Sequence, residues 1–336
     1  MDIGIDLGTA NIMITMGNRG IVLNEPSVVA FNKKTEQVIA VGEEAYKMIG
    51  RTPDFITVIR PLSDGVISDH KMTESMISAF IEKVTGKQLF MPRIVLCIPS
   101  SITDVESRAV IEAAKTAGAR NVYLIEEPIA ALLGAGIDIS RPNGNMVVDI
   151  GGGTTDIAVV SMNGIVAKKS IKLAGNKIDK AVAKYIANRY RIMIGEKTAE
   201  MAKISISNVF NPDGSRKMFV KGRHLVRGLP EKVEISDYDI YEAIIDIVNE
   251  IVSAVRDVLE STPPELVGDI HTNGVTLTGG GALIGGMDKL MTKALGANFY
   301  VAEDAISCVA RGTGKAFESL DKLLDGFEHI SLLKYS

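Results

Sequence analysis

The chain has 336 residues, 46% of them apolar, with 37 Lys plus Arg against 41 Asp plus Glu and a net charge of −4. That length suits two lobes or one large domain with insertions, and the near-balanced charge excludes a nucleic-acid binder that relies on bulk positive charge. Cys97 and Cys308 stand in apolar contexts and supply neither a disulfide framework nor a zinc spacing, as expected of a reducing cytoplasm.

From the N-terminus, Met1-Asp2-Ile3-Gly4-Ile5-Asp6 has an acid where a secretory leader carries basic residues, and it alternates as a strand. Leu7-Gly8-Thr9-Ala10-Asn11 reads as a turn and Ile12-Met13-Ile14 as a second strand. Thr103-Asp104-Val105-Glu106 has the spacing of a capping box and predicts a helix that runs toward Ala117 and Gly118. The opening pattern then returns, as Val147-Val148-Asp149-Ile150, Gly151-Gly152-Gly153-Thr154 and Thr155-Asp156-Ile157-Ala158. A strand, an aspartate, a Gly/Thr turn and a second strand, met twice, predict two related α/β lobes around a common cleft.

Residues 211–231 mix Asn, Asp, Gly, Lys and Arg with short β-like runs and read as a small surface subdomain. Ser236-Asp237-Tyr238-Asp239 opens a helix on which Ile240, Ile244, Ile247, Ile251, Val255 and Val258 form one apolar stripe, a core face, and Pro263-Pro264 follows its end. Val275-Thr276-Leu277 leads into Thr278-Gly279-Gly280-Gly281-Ala282-Leu283 and a helical pattern at Met287, Leu290 and Met291. No apolar run nears the roughly 20 residues of a membrane-spanning helix, so any membrane contact is expected to be peripheral.

Two Gly/Thr turns after buried strands have a specific use. Glycines let backbone N–H groups approach a phosphate, and the threonine hydroxyl adds a donor. Asp6 and Asp149, at the strand ends, are placed to hold Mg²⁺ mainly through its water shell. Turns facing each other across a cleft would grip the β- and γ-phosphates as a nucleotide clamp, with the third glycine cluster admitting the flat face of a nucleoside. No G-x-x-x-x-G-K-[ST] is present, which excludes the P-loop class. Phosphoryl transfer to water requires an oriented nucleophile, which a carboxylate or hydroxyl can supply. Glu127, in Glu126-Glu127-Pro128-Ile129-Ala130-Ala131, is a candidate; the alternative is that Glu126 and Glu127 serve only as N-terminal acids of a helix.

Taken together, Asp6-Leu7-Gly8-Thr9, Ile125-Glu126-Glu127-Pro128, Asp149-Ile150-Gly151-Gly152-Gly153-Thr154, Glu200 to Lys203 and Thr278-Gly279-Gly280-Gly281 stand in the order of the actin, sugar-kinase and heat-shock-chaperone ATPase superfamily. Asn24-Glu25-Pro26-Ser27-Val28-Val29, Ala40-Val41-Gly42-Glu43-Glu44-Ala45, Ile59-Arg60-Pro61-Leu62-Ser63-Asp64-Gly65-Val66-Ile67, Thr262-Pro263-Pro264-Glu265-Leu266 and Cys308-Val309-Ala310-Arg311-Gly312-Thr313-Gly314 carry it further. Over nearly its whole length the chain resembles the MreB family of bacterial actins, Mbl-type and MreBH-type paralogues included.

The resemblance implies an α/β, actin-like two-lobed ATPase fold with duplicated lobes around a nucleotide cleft. Lobe I would span 1–142 and 315–336, with a small subdomain inserted at about 31–65, and lobe II 143–314, with one at about 180–240. It implies ATP/ADP and Mg²⁺ as cofactors, with contacts from Asp6, Gly8, Thr9, Ala10 and Asn11, from Asp149, Gly151, Gly152, Gly153 and Thr154, from Glu200 and Lys203, and from Gly279, Gly280, Gly281 and Ala282. Glu127 would be the hydrolytic acid and Thr154 its water-positioning partner. Glu200 and Lys203 would meet ribose and adenine from one helix face; an ordinary surface ion pair is the alternative. Asn176 and Ser205 depart from the family, which commonly has Asp and Glu there.

The loop Lys87-Gln88-Leu89-Phe90-Met91-Pro92-Arg93 has adjacent large apolar residues, flanked by Lys83, Lys87 and Arg93. Family members without an amphipathic N-terminal helix use an apolar loop here on the membrane, and this chain opens directly on its first strand. Leu89 and Phe90 are therefore either a contact with anionic lipid or a cover for the strand Ile94-Val95-Leu96. The implied function is a slow ATPase coupled to polymerisation. Its filaments would be head-to-tail homopolymers, paired, lying on the inner membrane face, serving the cell-wall elongation machinery and cell shape, with no nucleic-acid partner. A chaperone-type ATPase or a small-molecule kinase of the same superfamily is the rival reading.

Overall fold

The computed structural model describes residues 2–63, 65–86, 91–100, 102–318 and 327–330. The first half lays down β1 (Asp2–Leu7), β2 (Asn11–Met16), β3 (Ile21–Pro26), β4 (Val29–Asn32), β5 (Gln37–Val41), α1 (Glu43–Met48), β6 (Ile56–Ile59), β7 (Leu62–Ser63), β8 (Val66–Ile67), α2 (His70–Thr85), β9 (Arg93–Ile98), α3 (Asp104–Thr116), β10 (Asn121–Glu126) and α4 (Glu127–Gly134). The second adds β11 (Asn145–Ile150), β12 (Thr155–Ser161), β13 (Gly164–Ile171), α5 (Gly175–Tyr190), β14 (Ile192–Met193), α6 (Glu196–Ile206), β15 (Lys217–His224), β16 (Pro230–Ser236), α7 (Asp237–Ser261), α8 (Pro264–Asn273), β17 (Val275–Thr278), α9 (Met287–Leu295), β18 (Phe299–Val301), α10 (Cys308–Lys315) and β19 (Phe327–Ile330).

The repeat seen in the sequence is a repeat of architecture. One sheet has the order β19-β10-β9-β1-β2-β3 and the other β13-β12-β11-β17-β18. In each, an antiparallel meander (β1-β2-β3 or β11-β12-β13) continues from its first strand into parallel neighbours (β9 and β10, or β17 and β18) reached through helices. The first lobe also carries the small sheet β5-β4-β6 beside α1, and the second the sheet β14-β15-β16.

Local signals set the helix ends. Glu106 N donates to Thr103 Oγ1 and Thr103 N to Glu106 Oε2, closing the capping box of α3. The helix stops at Thr116, just before Gly118 at φ +96°. Ser236 and Asp239 close the same box on α7. Its buried face is Ile240, Ile244, Val248, Ile251, Val252, Val255 and Val258, and Ile247 is only half-buried. The stripe is centred nearer Ile244 and Val255 than the sequence reading placed it, so Val248 faces inward and Ile247 sits on its flank.

Each sheet packs its outer helices over its own core. Met76 and Phe80 of α2 and Ile111 of α3 cover the first, and Ile178 and Val182 of α5 and Ile244 and Val255 of α7 the second. A further core joins the lobes: Val95, Cys97, Ile125, Ile129, Leu132, Val147, Ala158, Val160 and Val309 come from the facing sides of both sheets and from α4 and α10. These two helices cross at backbone contact. A Cβ on Gly134 would stand 1.7 Å from the Cys308 carbonyl oxygen, and one on Gly312 1.8 Å from that of Ala130.

Candidate functional site

A cavity of about 310 Å³ opens where the lobes meet. Its wall is built from the β1–β2 turn and the start of β2 (Gly8, Thr9, Ala10, Asn11), the β11–β12 turn (Gly151, Gly152, Gly153, Thr154), α6 and its C-cap (Glu200, Lys203, Ile204, Ser207) and the turn after β17 (Gly279, Gly280, Gly281). Asp6, Asp149 and Glu127 line it too. Residues scattered over most of the chain are thus gathered into one space, and among the predicted nucleotide contacts Ala282 is the exception. The 3₁₀ turn Gly280–Leu283 directs it into the second core, where it is 1% exposed.

The two phosphate-type turns touch each other. A Cβ on Gly152 would lie 2.6 Å from Ala10 Cβ, and one on Gly153 2.5 Å from Thr9 Oγ1, so any side chain here would force the lobes apart. Gly279, at φ +80°, and Gly281 press on Ile150, whereas Gly280 has open space around it. Two glycines of the third cluster therefore serve close packing against β11 as well as the cavity wall. Thr9 Oγ1 accepts from Gly65 N at 3.3 Å, which leaves its own proton to donate.

Acids dominate the electrostatics. Burial raises Asp6 to about 8, with the charge of Asp149 adding to it. Burial raises Asp149 to about 7, although Thr278 Oγ1 donates to its Oδ1 at 2.6 Å. Glu127 is pushed well above the carboxylate range, by burial first and then by the negative fields of Asp156, Asp149 and Asp6. Asp156 is itself fully buried and raised by burial, and its Oδ1 accepts from Ser100 N at 3.0 Å. Hydrogen bonds from the Thr154 and Ser170 side chains offset part of that rise. The bond between Asp156 and Glu127 raises Glu127 and lowers Asp156, so Glu127 is the protonated donor and Asp156 the acceptor. Burial among these acids also pushes the Cys97 thiol up, in keeping with a packing role.

On α6, Glu200 and Lys203 lie one turn apart on the cavity side, but each has a different partner. Lys203 Nζ pairs with Asp179 Oδ1 at 2.8 Å and donates to the Gly175 carbonyl at 3.4 Å. Glu200 Oε2 accepts from Tyr46 Oη of the first lobe at 3.1 Å. Asn176 lines the cavity and its N–H donates to the Gly152 carbonyl at 2.8 Å. Ser205 is exposed on α6 and does not line the cavity. Asp156, Asp179, Thr278 and Tyr46 were not among the candidates read from sequence. Asp156 carried a signal, since it stands seven residues after Asp149, as Met13 does after Asp6, and both are the register partners of those acids.

Other expectations are altered. Glu126 makes no side-chain cap on α4; it accepts from Lys168 Nζ of β13 at 2.7 and 2.9 Å. Leu89, Phe90 and Lys87 lie outside the described residues. Of the cations expected to face lipid beside them, Arg93 holds Asp2 through two bonds, at 2.8 and 2.6 Å, and Lys83 pairs with Glu25. Both are surface pairs, formed because the strand and helix that carry them bring acids alongside, and they reduce the positive charge offered there. Among the described residues no helix is long and apolar enough to cross a membrane, and no cluster of three or more His, Cys, Asp or Glu could hold a metal ion.

Known proteins agree with this architecture. Cell shape-determining protein Mbl of Bacillus subtilis (strain 168) is 51% identical over 323 residues, 96% of this chain and 97% of that protein. Cell shape-determining protein MreB of Escherichia coli (strain K12) is 47% identical over 326 residues, 95% of this chain and 94% of that one. A crystal structure of MreB 5 of Spiroplasma citri bound to AMPPNP matches at a TM-score of 0.91 and 40% identity, covering 96% of this chain and 97% of that one. The MamK double helical filament matches at 0.80 with 21% identity, over 94% of this chain and 98% of that one, and shares the fold. The MreB/Mbl protein family matches residues 1–325, and the chain belongs to that family, with its actin-like two-lobed fold.

Proposed function

We propose that this chain is an actin-like ATPase that binds Mg-ATP between its lobes, hydrolyses it slowly and polymerises into filaments on the inner face of the cell membrane, where they direct cell shape and cell-wall synthesis. The observation that carries the reading is the meeting of the two glycine turns, Gly152 on Ala10 and Gly153 on Thr9, with Glu127 beside them in the same cavity. A phosphate chain fits where two such turns converge, because both offer backbone N–H groups and hydroxyls from Thr9 and Thr154. The MreB 5 relative is bound to AMPPNP in one structure and to ADP in another.

Asp6 and Asp149 fit a Mg²⁺ ion held largely through water and phosphate. Two acids are too few for a dedicated cage but are the usual number beside a phosphate-bound Mg²⁺, and their raised pKa values mark a place where positive charge is lacking. When bound, the ion supplies positive charge against the phosphates and keeps both acids ionised. Glu127 donates its proton to Asp156, since their bond raises Glu127 and lowers Asp156, and its other, unprotonated oxygen can accept from a water. Thr154, 4% exposed at the same wall, offers a second oxygen to orient that water.

Closure on nucleotide would favour the polymer-forming conformer, and hydrolysis would loosen it. Head-to-tail contacts that do not close on themselves would then extend the filament, with a second protofilament beside it. Leu89 and Phe90 are proposed to touch the lipid. Light scattering and pelleting with and without ATP, followed by electron microscopy on a lipid monolayer, test the reading: ATP-dependent polymer that decorates the monolayer is expected, and protein that stays in the supernatant at every nucleotide state would overturn it.

A further inference from the structure

We infer that Tyr46 is a positioning residue for the nucleotide: from the first lobe its hydroxyl holds the Glu200 carboxylate of the second lobe at the cavity wall, so that tight nucleotide binding requires closed lobes. The inference rests on reading Glu200 as a nucleoside contact.

Tyr46 stands in α1, next to the small sheet β5-β4-β6, and its Oη is 3.1 Å from Glu200 Oε2 on α6. The two residues are 154 positions apart in the chain, so only the closed arrangement of the lobes brings them together. Lys197, one turn before Glu200, fixes the tyrosine from the same helix. Its Nζ lies 3.7 Å from the ring centroid of Tyr46 and also donates to the Tyr46 carbonyl. At the start of α6, Arg60 donates to Glu196 Oε1 through Nε at 3.2 Å and Nη2 at 2.7 Å. The N-terminal half of α6 thus grips the first lobe at three points, Glu196, Lys197 and Glu200, while the same face farther along, Lys203, Ile204 and the C-cap Ser207, lines the cavity. Glu200 alone among these belongs to both sets.

The contacts differ in weight. Arg60 and Glu196 are a surface pair and contribute little. The Tyr46 bond is partly shielded and ends on a carboxylate, which makes it the stronger type. Burial and the negative charge of Glu200 push the phenol up to about 12, so it stays a donor throughout the physiological range. A carboxylate accepts on both oxygens, and a bond to Oε2 fixes the orientation of the group while Oε1 remains to accept from a ribose hydroxyl. An open cleft would leave Glu200 free to rotate, and the nucleotide would lose an oriented acceptor.

The test is a double-mutant cycle read by calorimetric ADP affinity and by the ADP dissociation rate, on full chains whose nucleotide-free melting temperatures match the parent. Tyr46→Phe keeps the ring beneath Lys197 and removes only the hydroxyl. It is expected to weaken ADP binding by about three- to tenfold, mostly through faster dissociation. Glu200→Ala is expected to weaken binding at least as much, and Tyr46→Phe should then have no further effect in the Glu200→Ala background. Glu200→Gln, uncharged yet still an acceptor, should remain sensitive to Tyr46→Phe. Unchanged affinity in Tyr46→Phe with weakened affinity in Glu200→Ala would overturn the role of Tyr46 alone, as would effects that simply add. Unchanged affinity in Glu200→Ala would overturn the underlying reading of Glu200.

Discussion

Glu127 is placed where its surroundings set its chemistry. It is buried, it donates a hydrogen bond to Asp156, and two further acids face it. If it orients the lytic water, Glu127→Ala should bind ATP near the parental affinity and release phosphate about 10²- to 10⁴-fold more slowly, because water positioning matters only in the transition state. Single-turnover phosphate release checks this, and unchanged turnover removes Glu127 from the reaction. The pair Asp6 and Asp149 bears on stability. Their carboxyls rise from 3.8 to about 8 and about 7, so the folded protein keeps protons that the unfolded chain has already lost. Their contribution is complete below the unfolded value and disappears as pH rises through 7 and 8. Protein free of nucleotide and Mg²⁺ should therefore melt several degrees lower at about pH 8 than at about pH 6, and Asp6→Asn should flatten that slope. Calorimetry across the window decides it; a melting temperature that holds level or climbs would rule out the buried acids as the cause.

At the level of elements, the joint between α4 and α10 carries the lobes. Gly312 meets the Ala130 carbonyl and Gly134 that of Cys308, each at a distance that admits no methyl group. Gly312→Ala should cost about 3 kcal/mol or more in stability, whereas Gly280→Ala, with open space around it, should change stability by less than about 1 kcal/mol. Chemical denaturation of the two variants makes the comparison, and similar losses in both would mean that the crossing tolerates separation. The same elements show how far local pattern reaches. The capping boxes at Thr103 and Ser236 and the meander after Asp6 and Asp149 were readable because each is settled by residues a few positions apart. The inward turn of Val248 in place of Ile247 was not, since a stripe's centre depends on what the helix packs against.

On the scale of the whole molecule, the lobes meet through turns, through the α4–α10 joint and through one face of α6, and the proposed assembly would act on that closed form. Leu89 and Phe90 together would contribute on the order of 3 to 5 kcal/mol if buried in the lipid boundary, too little to hold a single subunit for long. A filament multiplies the contact, because each later subunit binds at high effective concentration. Replacing both residues with Ser should abolish co-sedimentation with anionic liposomes and leave ATP-dependent pelleting in solution intact. Liposome binding retained by that variant would place the membrane surface elsewhere, and the ion pairs of Arg93 and Lys83 already reduce the charge that could assist it.

Family, fold and the phosphate-type turns were legible in the chain because glycines, threonines and aspartates at fixed spacing act through their own backbone. Asp156 shows the boundary. Alternation along β12 places it on the same side as Ala158 and Val160, toward the joint between lobes, but nothing along the strand says that Glu127 waits there with a proton to share. Asp179 beneath Lys203 and Tyr46 against Glu200 belong to the same class, as do the raised carboxyls of Asp6 and Asp149. A residue's type and spacing determine which groups it can offer. The neighbour it meets, and the water it loses in meeting it, depend on segments from tens of residues to more than a hundred away, which only packing within each lobe and of one lobe on the other brings together.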